Sequence, residues 1–480
     1  MADHKTINLL KNTGVFALAN LLTKILTFVL VPVFTHYLTT EEYGIADTVT
    51  TTSSLLLPLL SLGVYEAVLR YGMKTGEDKK AVFTNSMWVI TLSTILLFLL
   101  WYPLTRISAI KEYYLPFVLI LVLDEYITTF SAFSKAIGRV KSSAFLGVFR
   151  SVVYLSLSIL FVVAFRWKTQ GYLYALVLSE ALTFIGYTMI NRYHRYLCFR
   201  FDSRLLRQML SYSLPLMING LMWWIMQSSD KYVLLATIGA SANGIYSVAN
   251  KVPSILTLLH TTFFQAWQLS VIEEHGATDA SAYFTKIFKK YCEVAFSVVL
   301  ICLLLVKPVF TIILGAGYIV AWRYSLLLSV ATLFFSFSSF YGCVYSASEH
   351  TKNALFTSLV GAVTNIVLNI ILIPKWGIQG AAFTTMLSYL IMWVIRYFDV
   401  KRYHPIGISI RTFVVNGVAI AAIIPMMLSD VLWLSFVAAG IGLIALAYNM
   451  ISFWRGVRLD DIRGLFRRHS SAPDDAEDPS

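Results

Sequence analysis

Three basic side chains fall where hydrocarbon should surround them. Lys24, Arg150 and Lys251 each sit inside a long apolar run. A cation at the centre of a membrane span costs about 2.5–3.5 kcal/mol on insertion scales. Each must therefore face a water-filled cavity or a partner, or reach the interface. Lys24 is central in its run. Arg150 is about seven residues into its run, near enough to a border for snorkelling, and Lys251 about eight. Cations kept in a wet cavity inside an apolar bundle are suited to a multiply anionic ligand.

Acidic and amide groups accompany them. Glu66 and Arg70 are four residues apart, so they share a helix face and can either pair or both meet a ligand. Asp124 and Glu125 are adjacent and must point in different directions, which leaves one for a cavity and one for a neighbouring helix. Glu180 and Asp230 lie in the sixth and seventh runs. Asp124, Glu125, Glu180 and Asp230 are the candidates for H+ or Na+ coupling, since intramembrane carboxylates relay protons and hold ions. Asn219, Trp223, Gln227 and Asp230 recur at spacings of four, four and three, a single stripe that suits sugar stacking or helix–helix hydrogen bonding. Asn365 and Asn369 also share a face and suit interhelical hydrogen bonding. The substrate-binding candidates are Lys24, Glu66, Arg70, Arg150, Asn219, Trp223, Gln227 and Lys251.

The elements that carry these groups are membrane helices. The 480-residue chain is 58% hydrophobic and only 13% charged, too apolar for a soluble domain. By the criterion of roughly 20 apolar residues per span, fourteen are expected: 13–37, 44–70, 80–103, 113–134, 143–165, 171–193, 208–235, 243–270, 288–314, 322–346, 353–374, 379–400, 409–429 and 431–453. Continuous runs rather than short alternating segments argue against a barrel. Lys and Arg divide 27 to 8 between the two sets of loops, so both termini are expected in the cytoplasm. That asymmetry, rather than nucleic-acid binding, accounts for the net charge of +12. The four cysteines have no metal or redox spacing, no Walker-type loop occurs, and the acidic, Pro-containing end from 458 to 480 reads as a partly disordered tail. No cofactor is expected.

The chain also repeats itself. Trp167-Lys-Thr-Gln-Gly171 and Trp376-Gly-Ile-Gln-Gly380 are 209 positions apart, as are Ser179 and Ser388, while Gly44-Ile45 and Gly244-Ile245 are 200 apart. Two similar halves predict a ligand site between them, with lobes over 1–200 and 201–403, two extra helices over 404–457 and the tail beyond.

The run Asn365-Ile-Val-Leu-Asn369 through Pro374-Lys-Trp-Gly377-Ile-Gln-Gly380-Ala381-Ala382 resembles the polysaccharide branch of the multidrug/oligosaccharidyl-lipid/polysaccharide exporter superfamily. Leu38-Thr-Thr-Glu41-Glu42-Tyr43-Gly44, Leu62-Gly63 and Arg70-Tyr71-Gly72 resemble the first two helices of Wzx-type flippases. Pro215, Asp230, Gly244, Tyr246 and Lys251 resemble the start of their second lobe. The resemblance implies an all-α polytopic membrane protein with two pseudo-symmetric six-helix lobes in a V around a central cavity. It further implies a flippase moving polyprenyl-diphosphate-linked oligosaccharide to the outer leaflet of a bacterial plasma membrane, with membrane lipids and a polysaccharide polymerase as further partners. A lipid II flippase, a drug/cation antiporter and a membrane-bound polysaccharide-assembly enzyme are the alternatives. The antiporter is disfavoured by cavity cations, and the enzyme by short loops without a catalytic constellation.

Overall fold

The computed structural model describes residues 21–455 apart from 75, 101–110, 199–200, 275, 278 and 349; the expected tail over 458–480 lies outside them. Among the described residues every regular element is helical. In chain order these are α1 (Leu21–Tyr37), α2 (Thr40–Leu60), α3 (Val64–Met73), α4 (Lys79–Leu99) and α5 (Tyr114–Ala136). There follow α6 (Val140–Ser158, continued by a π-helical turn Ile159–Ala164), α7 (Lys168–Asn191), α8 (Ser203–Thr237), α9 (Ala240–Ala249) and α10 (Lys251–Glu274). The last are α11 (Ala280–Ile313), α12 (Ala321–Ala347), α13 (Thr351–Val400), α14 (Ile410–Leu428) and α15 (Leu432–Arg455).

Counting α9 and α10 together, eleven helical stretches are long and apolar enough to cross a membrane, and α2 with α3, bent by 54°, adds a twelfth. The bend has a local cause: Pro58 lies in the last turn of α2, and Leu62 and Gly63 both take positive φ. The 50 residues of α13 would extend about 75 Å, more than twice a hydrocarbon core. Gly377, at φ 60 and ψ −139, breaks α13 into two arms, so it supplies two crossings. With α1 lying in the first expected run, each of the fourteen expected runs carries a helix or a helix arm among the described residues.

The repeated glycines have a physical reason. A Cβ at Gly171 would approach the Phe161 carbonyl oxygen to 3.0 Å, and one at Gly380 would approach that of Leu372 to 2.7 Å. In both halves the glycine lets the sixth helix of the set start directly against the end of the fifth. Gly44 and Gly244 meet each other: a Cβ on Gly44 would lie 1.8 Å from the Ala240 oxygen, and one on Gly244 2.0 Å from that of Thr40. Here α2 and α9 cross backbone to backbone. The start of α2 is set by a capping box, in which Thr39 accepts from the Glu42 N–H and Glu42 accepts from that of Thr39.

Packing crosses the expected lobe boundary at 200 twice. Leu205 and Met209 at the start of α8 belong to the N-terminal core with Phe83, Phe130 and Phe133. Leu30, Val31 and Phe34 at the end of α1 belong to the C-terminal core. The last helix is tied to α11, where the Lys290 ammonium donates to the Ser452 and Phe453 carbonyls at 2.8 and 3.0 Å and pairs with Glu293 at 2.9 Å.

Candidate functional site

Two polar cavities, each of about 400 Å³, flank α1. Its neighbouring residues divide between them: Thr23 lines the cavity in the N-terminal half and Lys24 the one in the C-terminal half. Successive helical positions point about 100° apart, so one helix can serve both.

The C-terminal cavity is lined by Lys24, Gln227, Asp230, Lys231, Asn250 and Tyr389, among others. Lys24 is exposed into it, and among the described residues no carboxylate pairs with it. Asp230 is buried in its wall, 1% exposed, and accepts hydrogen bonds from the Tyr246 hydroxyl and, at 3.1 Å, from Thr385. Behind Asp230, Ser229 donates to the Asn365 side-chain oxygen at 2.7 Å, Asn369 donates to the same oxygen at 3.0 Å, and Thr384 donates to Asn369. Asn365 and Asn369 thus join α8 to both arms of α13, the helix-bonding role their shared face allowed.

In the N-terminal cavity the lining includes Glu66, Lys135 and Arg150. The Arg150 guanidinium donates to Asp124 at 3.1 Å and to Glu180 at 2.5 Å, joining α5, α6 and α7. Arg150 is therefore held inside the helix bundle and does not snorkel. Glu125, the neighbour of Asp124, faces the other way and accepts from Ser93 on α4 at 3.1 Å.

Other expected residues lie elsewhere. Arg70 stacks over Tyr212 at 4.2 Å and lines neither cavity, and among the described residues no ion pair joins it to Glu66. Lys251 is half-buried between α1 and α11, beside Phe28, Val31 and Phe310, rather than in either large cavity. Of the α8 stripe, Gln227 and Asp230 reach the cavity, Trp223 packs edge-on against Phe335, and Asn219 is exposed outside both linings.

Several groups escaped the sequence reading. Lys231, which the sequence did not single out, pairs across the halves with Asp47 of α2 at 2.9 Å, and Ser247 of α9 donates to the same carboxylate at 2.7 Å. Asp47 and Ser247 are again 200 positions apart, so the repeat that matched Gly44 to Gly244 held the clue. Asn243 adds a bond to the Gly44 carbonyl at 3.1 Å, and Thr40 and Ser241 are 2.7 Å apart. Together these close the bundle at the end carrying the α1–α2 turn. Arg396, likewise not singled out, is 2% exposed inside the C-terminal half, and its donors go to Thr357, Ser358 and the Ser338 and Ala354 carbonyls.

Against this geometry, residues 9–268 match the model of a family described as polysaccharide biosynthesis protein. The chain belongs to that family. Its membership in the multidrug/oligosaccharidyl-lipid/polysaccharide exporter superfamily follows, as the resemblance implied. Residues 321–451 of this family member also match a model described as lipid II flippase MurJ. A relative described as an uncharacterized membrane protein, MJ1068 of Methanocaldococcus jannaschii, is 26% identical over 234 residues, 47% of this chain and 46% of that protein. The family member thus aligns with about half the length of this relative. Among solved structures, lipid II flippase MurJ in an inward closed conformation superposes with a TM-score of 0.71 at 15% identity, over 92% of this chain and 98% of that one. A Vibrio cholerae MATE transporter gives 0.56 at 13% identity, over 82% and 96%. A superfamily transporter from Pyrococcus furiosus gives 0.52 at 14%, over 82% and 93%. At such identities the likeness is one of fold.

Proposed function

We propose that this superfamily flippase carries a polyprenyl-diphosphate-linked oligosaccharide, the repeat unit of an O-antigen, capsule or exopolysaccharide, from the cytoplasmic to the outer leaflet of a bacterial plasma membrane. The observation that carries the reading is Lys24: an ammonium with no carboxylate partner among the described residues, set into a polar cavity beside Lys231, Gln227 and Asn250. Its charge is free for a diphosphate, while the amides and hydroxyls around it suit sugar hydroxyls. A volume of about 400 Å³ is in the range of a small-molecule site. With the termini cytoplasmic, the end latched by Gly44, Gly244 and Asp47 faces outward, and the cargo enters from the cytoplasmic leaflet. Rocking of the halves then transfers access. Asp230, with its Tyr246 and Thr385 donors, is the ion-coupling candidate of the C-terminal half.

The second reading is transport of the peptidoglycan precursor, favoured by the MurJ model over 321–451. Proteoliposomes holding either labelled lipid-diphosphate oligosaccharide or labelled lipid II separate the readings by which label changes sides, and an assembly enzyme would instead change the label's mass. We expect flipping of the oligosaccharide lipid to outpace that of lipid II. We also expect Lys24→Gln to reduce it roughly tenfold to a hundredfold, the worth of one charge-assisted bond of about 1.5–3 kcal/mol. Undiminished flipping by Lys24→Gln removes the site, and a preference for lipid II removes the cargo.

A further inference from the structure

The Asp124–Arg150–Glu180 cluster is out of charge balance. One guanidinium faces two carboxylates, at 3.1 and 2.5 Å. Arg150 and Asp124 are 31% and 27% exposed at their side chains, and Arg150 lines the cavity. Glu180 is 1% exposed, and its second oxygen, Oε2, is buried with no hydrogen-bond partner. A buried carboxylate with an unsatisfied oxygen is costly, and an excess negative charge deep in a membrane bundle more so.

Nearby charges do not cancel the excess. On α5, Glu125 turns away to Ser93. Glu66 of α3 and Lys135 of α5 line the same cavity and offset one another in sign, and Tyr187 of α7 adds a neutral hydroxyl. From α1 the cavity receives Thr23, also uncharged. The triad keeps a charge of −1 that a single proton removes. Among the described residues no group of three or more His, Cys, Asp or Glu could hold a metal there instead.

We propose that this triad is a proton-binding site of the N-terminal half, in which Glu180 takes a proton from cavity water on Oε2. The cluster goes from −1 to neutral, the Glu180 side chain changes from charged acceptor to neutral acid, and the Arg150–Glu180 pair loosens. Arg150 then keeps Asp124 and turns part of its guanidinium to the cavity. The proposal deepens the flippase reading by placing a proton opposite the cargo, but its test needs no cargo, so the two can fail separately.

Infrared difference spectra of the full-length protein in lipid nanodiscs, taken between acidic and alkaline buffer, report carbonyl bands of protonated carboxylic acids. The wild type should show a pH-dependent band component that disappears in Glu180→Gln and also in Asp124→Asn, which balances the cluster by another route. The component should survive in Glu125→Gln and Asp230→Asn, which alter two other buried acids. Proton uptake on acidification should fall by one per chain in Glu180→Gln. Should Glu180→Gln not fold, Asp124→Asn alone decides. A component unchanged in either variant, or one that follows sodium rather than pH, overturns the proposal.

Discussion

Replacing Gly44 with alanine should unlatch the closed end of the bundle. The new Cβ would lie 1.8 Å from the Ala240 carbonyl oxygen, whereas ordinary contact begins near 3.4 Å, so α2 and α9 must part by about 1.6 Å. Among the bonds that cross that contact are three: Asn243 to the Gly44 carbonyl at 3.1 Å, Ser247 to Asp47 at 2.7 Å, and Thr40 with Ser241 at 2.7 Å. A shift of that size takes all three beyond bonding distance. At about 1 kcal/mol each, some 3 kcal/mol is withdrawn from the closed arrangement, or roughly two powers of ten in its population. The assay is the distance between spin labels at exposed positions, Gln170→Cys in one half and Ile238→Cys in the other, in a cysteine-depleted background. The Gly44→Ala distribution should move to longer distances than the parent's, and Gly244→Ala should behave alike. Gly147→Ala, whose Cβ would meet nothing within 4 Å, is the control. A folded Gly44→Ala protein with the parental distribution would refute the argument that this backbone contact sets the closed state.

Arg396→Lys keeps the charge but not the fork that reaches Thr357, Ser358 and two carbonyls, and should cost about 3 kcal/mol, read as a lower melting temperature in detergent. Gly377→Ala forces an L residue into φ 60, ψ −139 and should cost about 1–3 kcal/mol in the same assay, more than Gly417→Ala, whose Cβ would be unobstructed. Asn416 and Asn449 exchange two amide bonds of 2.9 and 2.8 Å between α14 and α15. Either alanine variant alone should cost about 1–3 kcal/mol, and the Asn416→Leu/Asn449→Leu pair less, because no buried amide is left unpaired.

Much of the architecture was legible along the chain, because lipid as a solvent leaves the backbone few options. Fourteen apolar runs, short turns and duplicated Trp-x-x-Gln-Gly signals led to the helices and their number, and the run from Asn365 to Ala382 carried most of the resemblance to the exporter superfamily. The cost of a buried charge also marked Lys24, Asp124, Arg150, Glu180 and Asp230 as groups needing a cavity or a partner, and each has one in the structure. Hydropathy counts what a helix carries and is blind to which way it turns. Only the packing decided that Arg150 spends its guanidinium on two acids, that Lys251 is wedged between α1 and α11, and that Arg70 rests on Tyr212. The pairing of Asp47 with Lys231, which lie 184 positions apart, likewise needed α2 and α8 to be brought together in space.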